Sequence, residues 1–285
     1  MVRIVLHKFG DVEERFVNEI MEVMNGCYNC IDTHTVEIVD LYLFDKSSKM
    51  NAFISEEKRN MGIETSPFEE SFFAVHDAWH GTPRIMVAYD KALDLPKMVR
   101  TGGLRHEVAH TILHGSLEYY SFPFPTCLLK LENDGIISRQ TMRDLLYLTS
   151  IAVKDCEVTR LLYQKGYVED QVAYNKFFLE PSLEDHEAWQ LAKNNKVARL
   201  LVLISLLKIS CCAAPLLKNE KYDKEMFESI TRNIEYLPTE LSKRLLRLVE
   251  SSSEFGDDTH QNVDLFIKKI IDELVIRGEY FNTKN

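Results

Sequence analysis

Three side chains in the stretch Leu104-Arg105-His106-Glu107-Val108-Ala109-His110-Thr111-Ile112-Leu113-His114-Gly115 have the types and spacing for metal chemistry. On an α-helix, residues four apart lie one turn up and only about 40° around the axis. His106 and His110 then aim two imidazole nitrogens at one point, which is half of a tetrahedral zinc site. Glu107 is swung away from the first ligand and is placed to take a proton from a water in the metal's open position. Leu104, Val108, Ile112 and Leu113 supply an apolar stripe to seat such a helix, with Gly102-Gly103 before it and Gly115 as its stop.

The pattern H-E-x-x-H resembles the active-site helix of the zincin metallopeptidases. A catalytic zinc takes three protein ligands and a water. Similarity to the gluzincin branch implies that the third ligand is an acidic residue on a later helix, in a pattern like E-x-x-x-D. The segment that offers one is Ala152-Val153-Lys154-Asp155-Cys156-Glu157-Val158-Thr159-Arg160-Leu161-Leu162. Aligned on Arg160-Leu161-Leu162, Asp155 takes the ligand position and Thr159 stands where the pattern has Asp; aligned on the glutamate itself, Glu157 is the ligand. The two carboxylates lie about 200° apart on one helix, so only one faces the metal. The face carrying Leu148, Ala152, Cys156 and Thr159 does not choose between them, so Asp155 and Glu157 both stand as candidates beside His106 and His110.

The resemblance implies a Zn2+-dependent hydrolase of peptide bonds, with Glu107 as general base and a peptide or protein as substrate. Tyr119, Tyr120, Arg160 and His186 are open as donors to the oxyanion. The same residues also fit a catalytically inactive zincin-like protein, a metal-binding sensor or interaction module whose helical half binds a protein partner. A helical scaffold without metal, its histidines satisfied by hydrogen bonds, is the third reading.

Other histidines and cysteines carry weaker patterns. His114 follows His110 by one more turn, but eight residues from His106 is about 12 Å of rise, too far for one ion; a cap or a cleft-lining role is expected. His76 and His80 share the four-residue spacing, yet Gly81-Thr82-Pro83 and extended flanks point to surface or hairpin positions. Cys27-Tyr28-Asn29-Cys30 has no second pair to complete a zinc knuckle and reads as two thiols in a helix-to-strand loop.

These residues need elements to hold them. Val2 to Phe9 reads as a strand, Asp11 as the cap of a helix to about Asn25 with Phe16, Ile20 and Met24 on one face. Thr35 to Phe44 reads as a strand, Ser47 to Met61 as a helix, and Phe72 to Val75 and Arg84 to Tyr89 as strands. The order β-α-β-α-β-β-α through Gly115 is that of an α+β lobe with a small twisted sheet. It resembles the zincin N-terminal lobe, in which the strand before the active helix is often the sheet edge that pairs with extended substrate; Arg84 to Tyr89 would be that edge. After the break at Ser121-Phe122-Pro123-Phe124-Pro125 the periodic segments are helical: Ser138 to Lys165, Val168 to Phe178, Ser182 to Asn194, Lys196 to Leu217, Lys224 to Tyr236, Thr239 to Glu250 and His260 to Arg277. Ser182-Leu183-Glu184-Asp185 resembles a capping box. The expected organisation is an α+β lobe over 1–122 carrying the H-E-x-x-H helix and a mainly helical lobe over 123–285 carrying the third ligand.

Composition bounds the partners. The 285 residues carry a net charge of −10, which disfavours nucleic acid and anionic membrane. The first residues are too short and too soon charged for a signal peptide, and six scattered cysteines fit reduced thiols in the cytoplasm. Val197 to Leu217 is apolar enough to span a membrane, but Arg199, Lys208 and Pro215 interrupt it and a buried central helix is the expectation.

Overall fold

Residues 2–62 and 72–276 are described in the computed structural model, and they form an α+β chain, mostly helix with one small mixed sheet. The chain divides into two compact units, Met1–Ser121 with Leu161–Tyr174, and Phe122–Arg160 with Asn175–Asn285.

The first unit is built from β1 (Arg3–Phe9), α1 (Glu14–Cys30), β2 (Ile38–Phe44), α2 (Ser47–Met61), β3 (Ala74–Asp77), β4 (Arg84–Ala88), the short α3 (Tyr89–Leu93) and α4 (Lys97–Leu113). The strand order is β1-β2-β4-β3. β1, β2 and β4 are parallel, joined by helical crossovers, and β3 runs antiparallel to β4 with His76 opposite Ile85. All five residues of β4 are buried, as a strand covered on both faces must be, and Ile85-Met86-Val87-Ala88 is apolar without alternation for that reason. The expectation that Arg84 to Tyr89 forms the sheet edge is therefore corrected. Among the described residues the edge on that side is β3, a four-residue strand that packs against α4.

Helix α1 starts at Glu14 with Glu13 at its N-cap and no side-chain cap, so Asp11 is not the capping residue. The C-x-x-C pair sits in the last turn of α1, not in a loop after it. The buried face Phe16, Val17, Ile20, Met24 continues at helical spacing into Cys27 and Tyr28, and this burial carries the helix on to Cys30.

The second unit is helical among its described residues. Its helices are α5 (Thr126–Asn133), α6 (Arg139–Gln164), α7 (Glu169–Leu179), α8 (Leu183–Ala192), α9 (Lys196–Ala213), α10 (Asp223–Ile234), α11 (Thr239–Ser251) and α12 (Thr259–Ile270). The last turn of α6 and the first half of α7 belong to the first unit. The expected helical segments fall on α6 to α12 within a few residues, the last of them reaching Arg277, outside the described residues. α5 is additional. Ser182 caps α8 in a reciprocal box with Asp185.

α9 and its 3-10 continuation to Lys218 form the one helix among the described residues long and apolar enough to cross a membrane, and 67% of its most apolar stretch is buried inside the protein. It packs against α8, α10 and α11. Leu200, Leu203, Ile204, Leu206 and Leu207 are buried around most of its circumference, as in a core helix. All six cysteines are free.

Candidate metal centre

Helix α4 is clamped within the first unit on several sides. Tyr28 of α1 and Thr111 share a buried hydroxyl hydrogen bond of 2.7 Å. Arg105 pairs with the buried Asp170 and lies 4.0 Å over the Tyr167 ring. Burial pushes the Asp170 carboxyl above its usual pKa, with Arg105 pulling it back. Gln171 donates to the Gly102 carbonyl at 2.9 Å. Gly102 and Gly103 do not precede the helix; they lie inside it, because α4 begins at Lys97. A Cβ on Gly102 would sit 2.4 Å from the Asp170 carbonyl oxygen, and one on Gly103 would sit 2.7 Å from the Phe73 ring. The glycines are there for close approach, which outweighs their cost in a helix interior.

The histidines meet on this helix. His106 and His110 are both 3% exposed. Their Nε2 atoms lie 3.1 Å apart and their rings meet edgewise at 73°. Two nitrogens bound at about 2.0–2.1 Å to one tetrahedral ion stand roughly 3.3 Å apart, and two ring planes that cross permit a common in-plane ion. The donor pair and its geometry are compatible with a divalent metal ion, zinc among others. The other nitrogen of His110, Nδ1, is 3.1 Å from Nδ1 of His114, the C-cap residue of α4. With the shared proton on His110, its Nε2 would keep a lone pair for a metal and His114 would be the acceptor that fixes this tautomer. Tyr174 and Tyr119 flank the row, 5.3 Å from His106 and 5.1 Å from His114 between ring centroids. Glu107 is largely buried, and its Oε2 is 2.7 Å from Nδ1 of His76, which stacks on His110 at 3.9 Å and 10°.

No family model, curated protein or solved structure matches the chain.

The remaining candidates fall in different places. His76 faces α4 from β3, so the expectation of a surface or hairpin residue is corrected for it. His80 keeps that character: its side chain is 54% exposed, 3.4 Å from Glu57. Asp155 and Glu157 belong to the second unit. Glu157 is buried and accepts hydrogen bonds from Thr259 Oγ1 at 2.8 Å and Asn262 Nδ2 at 2.6 Å. The Asp155 carboxylate lies within 4.8 Å of the Cys212 thiol; burial first and this carboxylate next push that thiol well above its usual pKa. Of the four proposed oxyanion donors, Arg160 is tied to the Phe255 and Gly256 carbonyls and the His186 ring lies tilted at 31° against Tyr236, 4.3 Å between centroids, all in the second unit. Tyr119 and Tyr120 are in the unit that carries α4. Burial, then the Asp77 and Glu107 carboxylates, push the Tyr120 phenol up, which keeps it a proton donor.

Proposed function

We propose that this chain is a zinc-dependent metallopeptidase whose α+β unit is zincin-like and whose metal is held by Nε2 of His106 and His110. The observation that carries the reading is that nitrogen pair, 3.1 Å apart on crossing ring planes, with Glu107 at the next position. Zinc in such a site acidifies water and polarises the scissile carbonyl. The protein's own groups do the rest. His114 holds the proton of His110 Nδ1 so that the ligand nitrogen faces inward. The Glu107 carboxylate takes a proton from the attacking water and passes it to the leaving amine. Tyr120, an O–H donor near Glu107, is the candidate to meet negative charge developing on the carbonyl oxygen. The sequence expectation of an acidic third ligand, Asp155 or Glu157, stands beside this reading. Six free thiols suit a reducing compartment such as the cytoplasm.

Elemental analysis and a peptide-cleavage assay test it together. The native protein is expected to carry one zinc per chain and to cut an unstructured peptide. His110→Ala loses the zinc; Glu107→Gln keeps it and loses hydrolysis by several hundredfold or more. Zinc retained one-to-one in His110→Ala, or full hydrolysis in Glu107→Gln, overturns the reading. Stoichiometric zinc in a native protein that cuts nothing leaves a metal-binding protein and removes the peptidase.

A further inference from the structure

His76 is the residue of this cluster that H-E-x-x-H chemistry does not assign. It comes from β3 and reaches the helix from the sheet side, with its Nδ1 2.7 Å from Glu107 Oε2; the two side chains are 14% and 11% exposed. Its ring lies nearly parallel to that of His110, at 10° and 3.9 Å between centroids. An imidazole holds a metal close to its own ring plane, and two stacked planes do not meet near the rings. His76 therefore cannot share an ion with His110 in this arrangement. Its contact is with the carboxylate. With the carboxylate ionised it only accepts hydrogen bonds, and the shared proton is then on His76 Nδ1.

We propose that His76 is a positioning residue that donates Nδ1–H to Glu107 Oε2 and thereby fixes the general base. The inference rests on the metallopeptidase reading of the same site. A glutamate side chain is long and loses much rotamer freedom when it is held in one geometry. A glutamate left loose beside two imidazoles would also be able to swing toward a bound cation. Tying Oε2 to the sheet meets that entropic cost when the protein folds. The ordering comes from β3, whose pairing with β4 sets where His76 stands. Stacking on His110 holds the His76 ring in the plane that aims Nδ1 at the carboxylate.

Two substitutions separate positioning from packing. His76→Asn presents an amide N–H near the place of Nδ1 but loses most of the ring. His76→Leu keeps apolar volume against His110 and offers no donor. With zinc at one per chain in both, His76→Leu is expected to lower kcat by about 100-fold with KM within about twofold, the scale of a misplaced catalytic group. His76→Asn is expected to recover to within about tenfold of native. A second readout needs neither metal nor turnover. In metal-free protein with 15N-labelled histidine, the His76 Nδ1–H proton gives a downfield, exchange-protected signal that disappears in Glu107→Ala. Native kcat in His76→Leu, His76→Asn as slow as His76→Leu, or a signal that survives Glu107→Ala overturns the proposal. If the native protein binds no zinc or cuts no peptide, the metallopeptidase reading falls and the positioning role falls with it. An absent signal in metal-free protein whose zinc-loaded form is active overturns the positioning role alone.

Discussion

His110 Nδ1 and His114 Nδ1 lie 3.1 Å apart at the end of α4, both rings buried. The outer partner of a ligand histidine is commonly a carboxylate or carbonyl; with His110 as the proposed ligand, that partner would be a third imidazole one turn along. His114→Ala is expected to weaken zinc binding by about 10–100-fold, the range found when such outer partners are removed. His114→Asn, which offers a carbonyl acceptor, restores part of it. Competition against a chromophoric chelator measures both, and equal affinities for native protein and His114→Ala would remove His114 from any role at the metal.

The glycines inside α4 give a prediction of opposite sign to helix propensity. Alanine in a helix interior is favoured over glycine by about 1 kcal/mol. At Gly102 the added Cβ would stand 2.4 Å from the Asp170 carbonyl oxygen and 2.9 Å from Tyr174 Cβ. A main-chain oxygen does not yield as a side-chain tip does, and overpacking costs about 1–3 kcal/mol. Gly102→Ala is therefore expected to lower stability to urea by up to about 2 kcal/mol net. Gly26→Ala is the control: nothing lies within 4 Å of a Cβ there, and it should raise stability by up to about 1 kcal/mol.

The contrast between those glycines also shows what the sequence could and could not tell. Spacing along one helix is local, so His106, Glu107 and His110 were legible from the chain, as were the bounds of α2 and the run of helices from α6 to α12. Gly102-Gly103 looked like a helix start because glycine lowers propensity; the reason they are tolerated lies about 70 residues away, at Asp170 and Tyr174. His76 was missed for the same kind of reason. Its partner is 31 residues on, across a strand-to-helix contact that no periodicity encodes. The sequence marks the β3 and β4 segments as strands, but which of them is the edge depends on pairing order. The unbroken apolarity of Ile85-Met86-Val87-Ala88 was the available signal for an interior strand.

Asp155 and Glu157, inseparable by sequence, differ in what they do within the second unit. Both oxygens of Glu157 accept buried hydrogen bonds, from Asn262 and Thr259. Glu157→Ala would leave those two donors buried without their acceptor, at about 2–3 kcal/mol for bonds to a charged group. Glu157→Ala is therefore expected to lower stability to urea by about that amount, and an unchanged stability would mean that those two bonds do not hold Glu157 in place.

The buried thiols predict how stability falls in alkali. Burial pushes Cys156 up to about 12, with the Ser252 hydroxyl pulling slightly back, and Cys211 and Cys212 move in the same direction. A thiol in the unfolded chain titrates near 8.5. Between about pH 8.5 and 12 the folded protein keeps the Cys156 proton and the unfolded chain releases it. The folded state then binds more protons, so stability declines as pH rises through that window. At pH 10 the loss for one such thiol is about 2 kcal/mol. Cys156→Ala removes this dependence but carries its own cavity cost, which does not change with pH. Urea denaturation under reducing conditions at pH 7 and pH 10 should therefore show the native advantage over Cys156→Ala shrinking by about 2 kcal/mol. An advantage that stays constant between the two would mean that the Cys156 thiol ionises as easily in the folded protein as in the unfolded chain.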